Sequence, residues 1–142
     1  MDAQAVAEQV RDAMWADDAA SRMLGMCVTE VGPGRAVVTM TVRADMLNGF
    51  AICHGGLIAT LADSAFAFAC NSRDALTVAS GFDINLLKRA GLHDVLTATA
   101  QETALGGRAG LYDVTVKNQA DELIAVFRGR SCRLGVRKVL QA

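Results

Sequence analysis

The sequence has 142 residues, of which 52 % are hydrophobic and 20 % charged, with a net charge of −1. One domain covering 1–142 fits that length, and such a composition excludes a disordered chain. Near-neutrality also excludes nucleic acid as the main partner, because affinity for a phosphate backbone needs an excess of Lys and Arg.

Asp2, Glu8, Asp12, Asp17 and Asp18 make the first twenty residues acidic, and no apolar run among them resembles an export signal. Residues 3–20 are predicted as a polar-faced helix with Val6, Val10, Met14 and Trp15 toward the protein. Two β-rich runs follow, 26–31 and 35–42, separated by Gly32-Pro33-Gly34, which reads as a hairpin. A long connection, 43–54, contains Asn48-Gly49 and leads into Gly55-Gly56. From Leu57 to Cys70 neither Pro nor Gly interrupts an Ala- and Leu-rich run, predicting a helix of about four turns. Thr60, Asp63 and Ser64 are its polar side chains, so it should be a buried helix.

Strand patterns then cover 77–87, 95–105, 109–117 and 123–134, with short separators that predict antiparallel neighbours in a meander. Gly106-Gly107 precedes a strand and reads as a hairpin turn. The expected fold class is α+β, one antiparallel sheet of about five to six strands wrapped around one long buried helix. No stretch approaches the roughly eighteen apolar residues of a membrane span. Cys27, Cys53, Cys70 and Cys132 form no CxxC pair and read as reduced thiols of a cytoplasmic protein. With only His54 and His93 to supplement them, no metal site is expected.

The chemistry should sit where the long connection meets the helix. Glycines at a helix start let a ligand approach the backbone, and the first turn presents unpaired N–H groups at the positive end of the dipole. A carbonyl oxygen there gains stabilisation as it becomes an oxyanion. The bland reading of Gly55-Gly56 is a simple loop-to-helix turn. Asp63 is harder to dismiss, because an ionised carboxylate inside an apolar helix is costly unless paired or hydrated. Its structural alternative is a carboxylate bonded to backbone N–H groups or to a C-terminal arginine. His54 reads equally as a catalytic donor and as a side chain bonding the loop. Cys53 beside it is a poor nucleophile, since neighbouring side chains of an extended segment point apart.

Gly55 and Asp63 are eight positions apart, roughly 12 Å along one helix. A proton acceptor must come within about 3 Å of its target. One helix therefore cannot bring both groups to a single carbonyl, whereas two helices in an antiparallel two-fold pair can. If both act, the active unit is a homodimer with shared sites.

These residues resemble the hotdog-fold acyl-CoA thioesterases of the phenylacetate-degradation (PaaI-type) branch. The resemblance extends from about Gly25 onward and is carried by Asn48 with His54-Gly55-Gly56, by Leu61-Ala62-Asp63-Ser64-Ala65-Phe66, and by Phe127-Arg128-Gly129-Arg130-Ser131. Phe66-Ala67-Phe68-Ala69-Cys70 and Val78-Ala79-Ser80 point to the phenylacetyl-CoA enzymes. The resemblance implies that Gly55 donates its N–H to the thioester carbonyl with help from Asn48 and His54. It implies that Asp63 of the partner subunit activates water or attacks directly. Ser80 is the implied helper that orients water, and Gly56, Ser64, Phe66, Arg128 and Arg130 are the candidates for substrate contact. No metal or bound cofactor is implied, CoA being part of the substrate, and such dimers pair again into tetramers. Lys88-Arg89 departs from the basic-residue-then-Pro turn of many relatives. Two other classes remain open on these residues: an enoyl-CoA hydratase or dehydratase relying on a His paired with an acid, and a non-catalytic acyl-CoA sensor.

Overall fold

In the computed structural model, which describes residues 1–141, the polar N-terminal stretch forms two helices instead of one, α1 (Ala3–Asp17) and α2 (Ala19–Met23). The Asp2 carboxylate accepts the Ala5 N–H and starts α1. Asp18 ends it. Its backbone leaves the helical region at ψ 80°, and its carboxylate accepts the Ser21 N–H at 3.0 Å to cap α2. A short acidic side chain competing for backbone N–H groups is what divides the predicted helix. Val10 is buried, and Val6, Met14 and Trp15 are half-buried, as their spacing requires.

β1 (Cys27–Gly32) and β2 (Arg35–Thr41) form the expected hairpin. After a single helical turn at Ala44–Met46 come α3 (Gly55–Cys70) and four strands: β3 (Thr77–Leu86), β4 (Val95–Gly106), β5 (Ala109–Lys117) and β6 (Leu123–Arg133). The six strands make one sheet of order β1-β2-β4-β5-β6-β3, every neighbouring pair antiparallel.

The last four strands are not the meander their short separators predict. β4, β5 and β6 run as consecutive hairpins, but β3 pairs with β6 at the far edge of the sheet. The segment 87–94 is therefore a crossing connection, held by bonds to other parts of the chain. Ala90 is fully buried and its carbonyl accepts the Cys53 N–H at 2.8 Å, while the His93 N–H reaches the Val42 carbonyl at 2.9 Å. Separator length alone could not reveal those tethers.

α3 lies across one face of the sheet. Strand periodicity turns Val38, Met40, Leu96, Ala98, Tyr112 and Val114 toward it, all at most 2 % exposed. Ile58, Leu61, Ala62, Ala65, Phe66 and Phe68 face back from the helix into the same core. Burial is not complete on every side, however. Gly56, Thr60, Asp63 and Ala67, three or four positions apart, form a stripe that the single chain leaves partly open.

The helix packs on β6 at Gly129, where an added Cβ would lie 2.8 Å from Phe66 ring atoms. Gly129→Ala is expected to destabilise the fold by about 1–3 kcal/mol through overpacking. The measurement is a lower urea midpoint at unchanged m-value; an unmoved midpoint would mean that the Phe66 ring moves aside freely.

β3 has one strand neighbour, and Val78, Phe82 and Leu86 are 44 %, 40 % and 51 % exposed along it. A register shift between Ala79 and Gly81 leaves Ser80 as the extra residue of a bulge.

Candidate active site

The loop before α3 is organised by its own hydrogen bonds. Asn48 Oδ1 accepts the Phe50 and Ile52 N–H groups at 2.9 and 3.3 Å, and its backbone N–H donates to the Ile52 carbonyl at 2.8 Å. Ala51 takes a left-handed φ of 61° to close this turn. With the oxygen of its side-chain amide engaged, Asn48 retains the amide NH2 as a free donor.

His54 is the N-cap of α3: its Nδ1 accepts the Gly56 N–H at 3.1 Å. A nitrogen that accepts is unprotonated, so in the neutral ring the proton sits on Nε2 and can be donated. The His54 N–H donates to the Met46 carbonyl at 2.8 Å, which fixes the angle at which the loop enters the helix. Gly56, a candidate for substrate contact, is thus committed to the cap.

The Gly55 N–H has no acceptor among the described residues, as befits the first turn of a helix. An added Cβ there would stand 2.6 Å from Leu86 Cδ1. The end of the Leu86 side chain, from β3, packs directly over the bare Gly55 backbone. Asn48, Gly55, Ile58, Leu86, Lys88 and Arg89 line a cleft of about 270 Å3. Two uncommitted donors and two cations therefore share one depression with apolar walls. Lys88 bonds Glu122 at 2.6 Å, whereas Arg89 makes no ion pair among the described residues. Sequence reasoning missed this pair as a site feature; its signal was a Lys-Arg step directly after β3, taken only as a change of turn.

Asp63 does not line this cleft. It is two turns further along α3, on the partly open stripe, half-buried and with no hydrogen-bond or ion-pair partner among the described residues. Burial pushes its carboxyl above the ordinary carboxylate range, and the nearby Asp18 adds to the rise. Neither structural alternative, a backbone-bonded carboxylate nor one paired to a C-terminal arginine, describes it.

The other candidates are dispersed. Ser64 Oγ lies 2.7 Å from Ser21 Oγ, at the contact with α2. Phe66 is 1 % exposed in the core, against Tyr112 and Phe127. Ser80 Oγ donates to the Arg130 carbonyl at 3.1 Å. Arg128 and Arg130 are not a free basic strip. Arg128 forms a two-bond pair with Asp113 at 2.8 and 2.9 Å, and Arg130 binds Asp83 at 2.7 Å, all on the sheet face opposite the helix. Cys53 is buried and its thiol is pushed up by desolvation, away from the thiolate that nucleophilic attack requires. Among the described residues no three His, Cys, Asp or Glu side chains are grouped to hold a metal ion. No helix among them is long and apolar enough to cross a membrane.

Comparison with known proteins gives a consistent outcome. The thioesterase superfamily profile matches residues 50–125, from the turn before His54 to the start of β6. The acyl-coenzyme A thioesterase PaaI of Escherichia coli is 47 % identical over 123 residues, 87 % of this chain and 88 % of the relative. The structure of the E. coli PaaI protein from the phenylacetic acid degradation operon superposes with a TM-score of 0.93 at 44 % identity, covering 96 % of this chain and 99 % of that one. A point-mutant structure of the phenylacetic acid degradation protein PaaI from Thermus thermophilus gives 0.75 at 36 % identity, covering 80 % and 97 %.

Proposed function

This chain belongs to the thioesterase superfamily and is an acyl-CoA thioesterase of hotdog fold; on that premise we propose that it hydrolyses aryl-acetyl-CoA thioesters at sites shared by two copies. The observation that carries the reading is a pair of uncommitted groups on one helix. Among the described residues the Gly55 N–H lacks an acceptor and the Asp63 carboxylate lacks a donor, yet about 12 Å of helix separates them. An antiparallel partner laid on the open stripe of α3 brings the partner subunit's Asp63 to the Gly55 of the first.

The thioester carbonyl oxygen accepts from the Gly55 N–H, with the Asn48 amide and the His54 Nε2–H as further donors. The partner subunit's Asp63 takes a proton from water as the water oxygen bonds to the carbonyl carbon. The charge that develops on the carbonyl oxygen falls on donors already in place. Collapse of the tetrahedral intermediate breaks the C–S bond, and the CoA sulfur leaves as thiolate or, with the proton held by Asp63, as thiol. No metal or bound cofactor enters these steps. Lys88 and Arg89 are better placed for the CoA phosphates than Arg128 and Arg130, because they stand at the cleft. A hydratase needs a His paired with an acid, and His54 Nδ1 is instead engaged by the Gly56 N–H.

A cytoplasmic location and the pairing of dimers into tetramers belong to the same reading; four free thiols support the first. Free-thiol release should be measured on a panel of acyl-CoAs including phenylacetyl-CoA and ring-hydroxylated phenylacetyl-CoAs. The aryl-acetyl members are expected to turn over fastest. Faster turnover of straight-chain esters would overturn the substrate class and leave the thioesterase standing.

A further inference from the structure

The N-terminal helices bring a second carboxylate to α3. Ser21, 1 % exposed, places its Oγ 2.7 Å from Asp18 Oδ2 and 2.7 Å from Ser64 Oγ. A carboxylate only accepts, so Ser21 donates its proton to Asp18 and takes its other bond from Ser64. The single Ser64 proton is thereby held toward α2 and withheld from Asp63, its neighbour in sequence. Asp63 correspondingly has no hydrogen-bond donor and no Lys or Arg within ion-pair distance among the described residues.

We propose that Asp18, Ser21 and Ser64 form a positioning relay that keeps the Asp63 carboxylate unbonded and under the repulsion of a second negative charge, so that it stays a ready proton acceptor. The inference rests on Asp63 being the general base. The groups acting on that base can be named. Asp18 comes from the α2 cap and is the charged group that acts on it, while further along α3 the Cys70 thiol is pushed up mainly by burial and in part by the Asp63 charge. The strands packed against the helix contribute apolar side chains and the Tyr112 phenol. A like charge disfavours the ionised form of its neighbour, so its removal makes Asp63 easier to ionise and a weaker base.

Asp18→Asn tests this, because Asn caps a helix as well as Asp and the start of α2 is retained. The Asp63 carboxyl should be titrated by 13C NMR and kcat/KM for thioester hydrolysis followed against pH. In the variant, the carboxyl midpoint and the acid limb of kcat/KM are expected to move together to lower pH, with KM near that of the parent. Ser21→Ala, which frees the Ser64 hydroxyl, should move both in the same direction. A purely structural contact would leave them in place, and an unmoved carboxyl midpoint in a folded Asp18→Asn protein overturns the relay. Turnover persisting in Asp63→Asn would instead overturn the base assignment, and with it the purpose of the relay, whatever the titration shows.

Discussion

Asp63→Asn is expected to lower kcat by roughly 10²–10⁴-fold while acyl-CoA binding persists, since that is the usual contribution of a positioned proton acceptor. The substitution changes shape little and removes one function, because the amide cannot accept the water proton. It should not harm the fold. Asp63 forms no hydrogen bond or ion pair among the described residues, and its carboxyl lies above the ordinary range through burial and the charge of Asp18. A carboxyl raised on folding contributes stability that is complete below its unfolded value and lost as pH rises through its folded value. Near neutrality the ionised side chain is therefore a burden, and Asp63→Asn should melt at or above the parent. Thiol release under saturating substrate, calorimetric binding of the ester and a thermal melt separate these effects. Near-parental turnover in a folded variant would remove Asp63 from the chemistry.

The second large effect is expected at Gly55. Gly55→Pro deletes the free N–H at the first position of α3, where proline is compatible with a helix and where the preceding His54 already has φ −58° and ψ 129°. Loss of one oxyanion donor costs roughly 10²–10³-fold in kcat. Gly55→Ala is the necessary control. It keeps the N–H but places the same first carbon 2.6 Å from Leu86 Cδ1, a flexible side-chain end that can turn away. The proline variant should fall well below the alanine variant, and equal losses would assign the effect to crowding by Leu86. Mixing Gly55→Pro with Asp63→Asn subunits should regenerate one complete site in each mixed dimer. Verified mixed dimers without turnover would argue that each chain works alone.

The centre of the proposed site was legible in the sequence because it is local. His54, Gly55, Gly56 and Asp63 lie within ten positions, and helix geometry alone separates donor from base. Asn48 was also within reach, being an Asn-Gly step before the helix. What escaped depends on contacts between distant segments. The Asp113 and Asp83 partners of Arg128 and Arg130 come from other strands, so a run of cations in sequence became two neutralised pairs on the far sheet face. Ser64 read as a substrate contact because its partner, Ser21, is 43 positions away. Phe66 read as a pocket wall for want of knowing that Gly129 would open a space for its ring. Asp18 showed only as another acidic residue in a polar helix, although it both breaks that helix and caps the next.

The placement of β3 beside β6 has a consequence for how the protein is made. Partners such as Thr77 and Arg133, or Leu86 and Ala125, are about 40 to 55 positions apart, and among the described residues β3 joins no other strand. During synthesis β3 emerges early and waits for β4, β5 and then β6 before it can be incorporated. Such high contact order slows folding and prolongs the exposure of unpaired apolar strand to other nascent chains. Val78, Phe82 and Leu86 are the side chains at risk over that interval. A chaperone that binds extended apolar segments should protect β3 above all others, and slowing translation between β3 and β6 should lower the soluble yield.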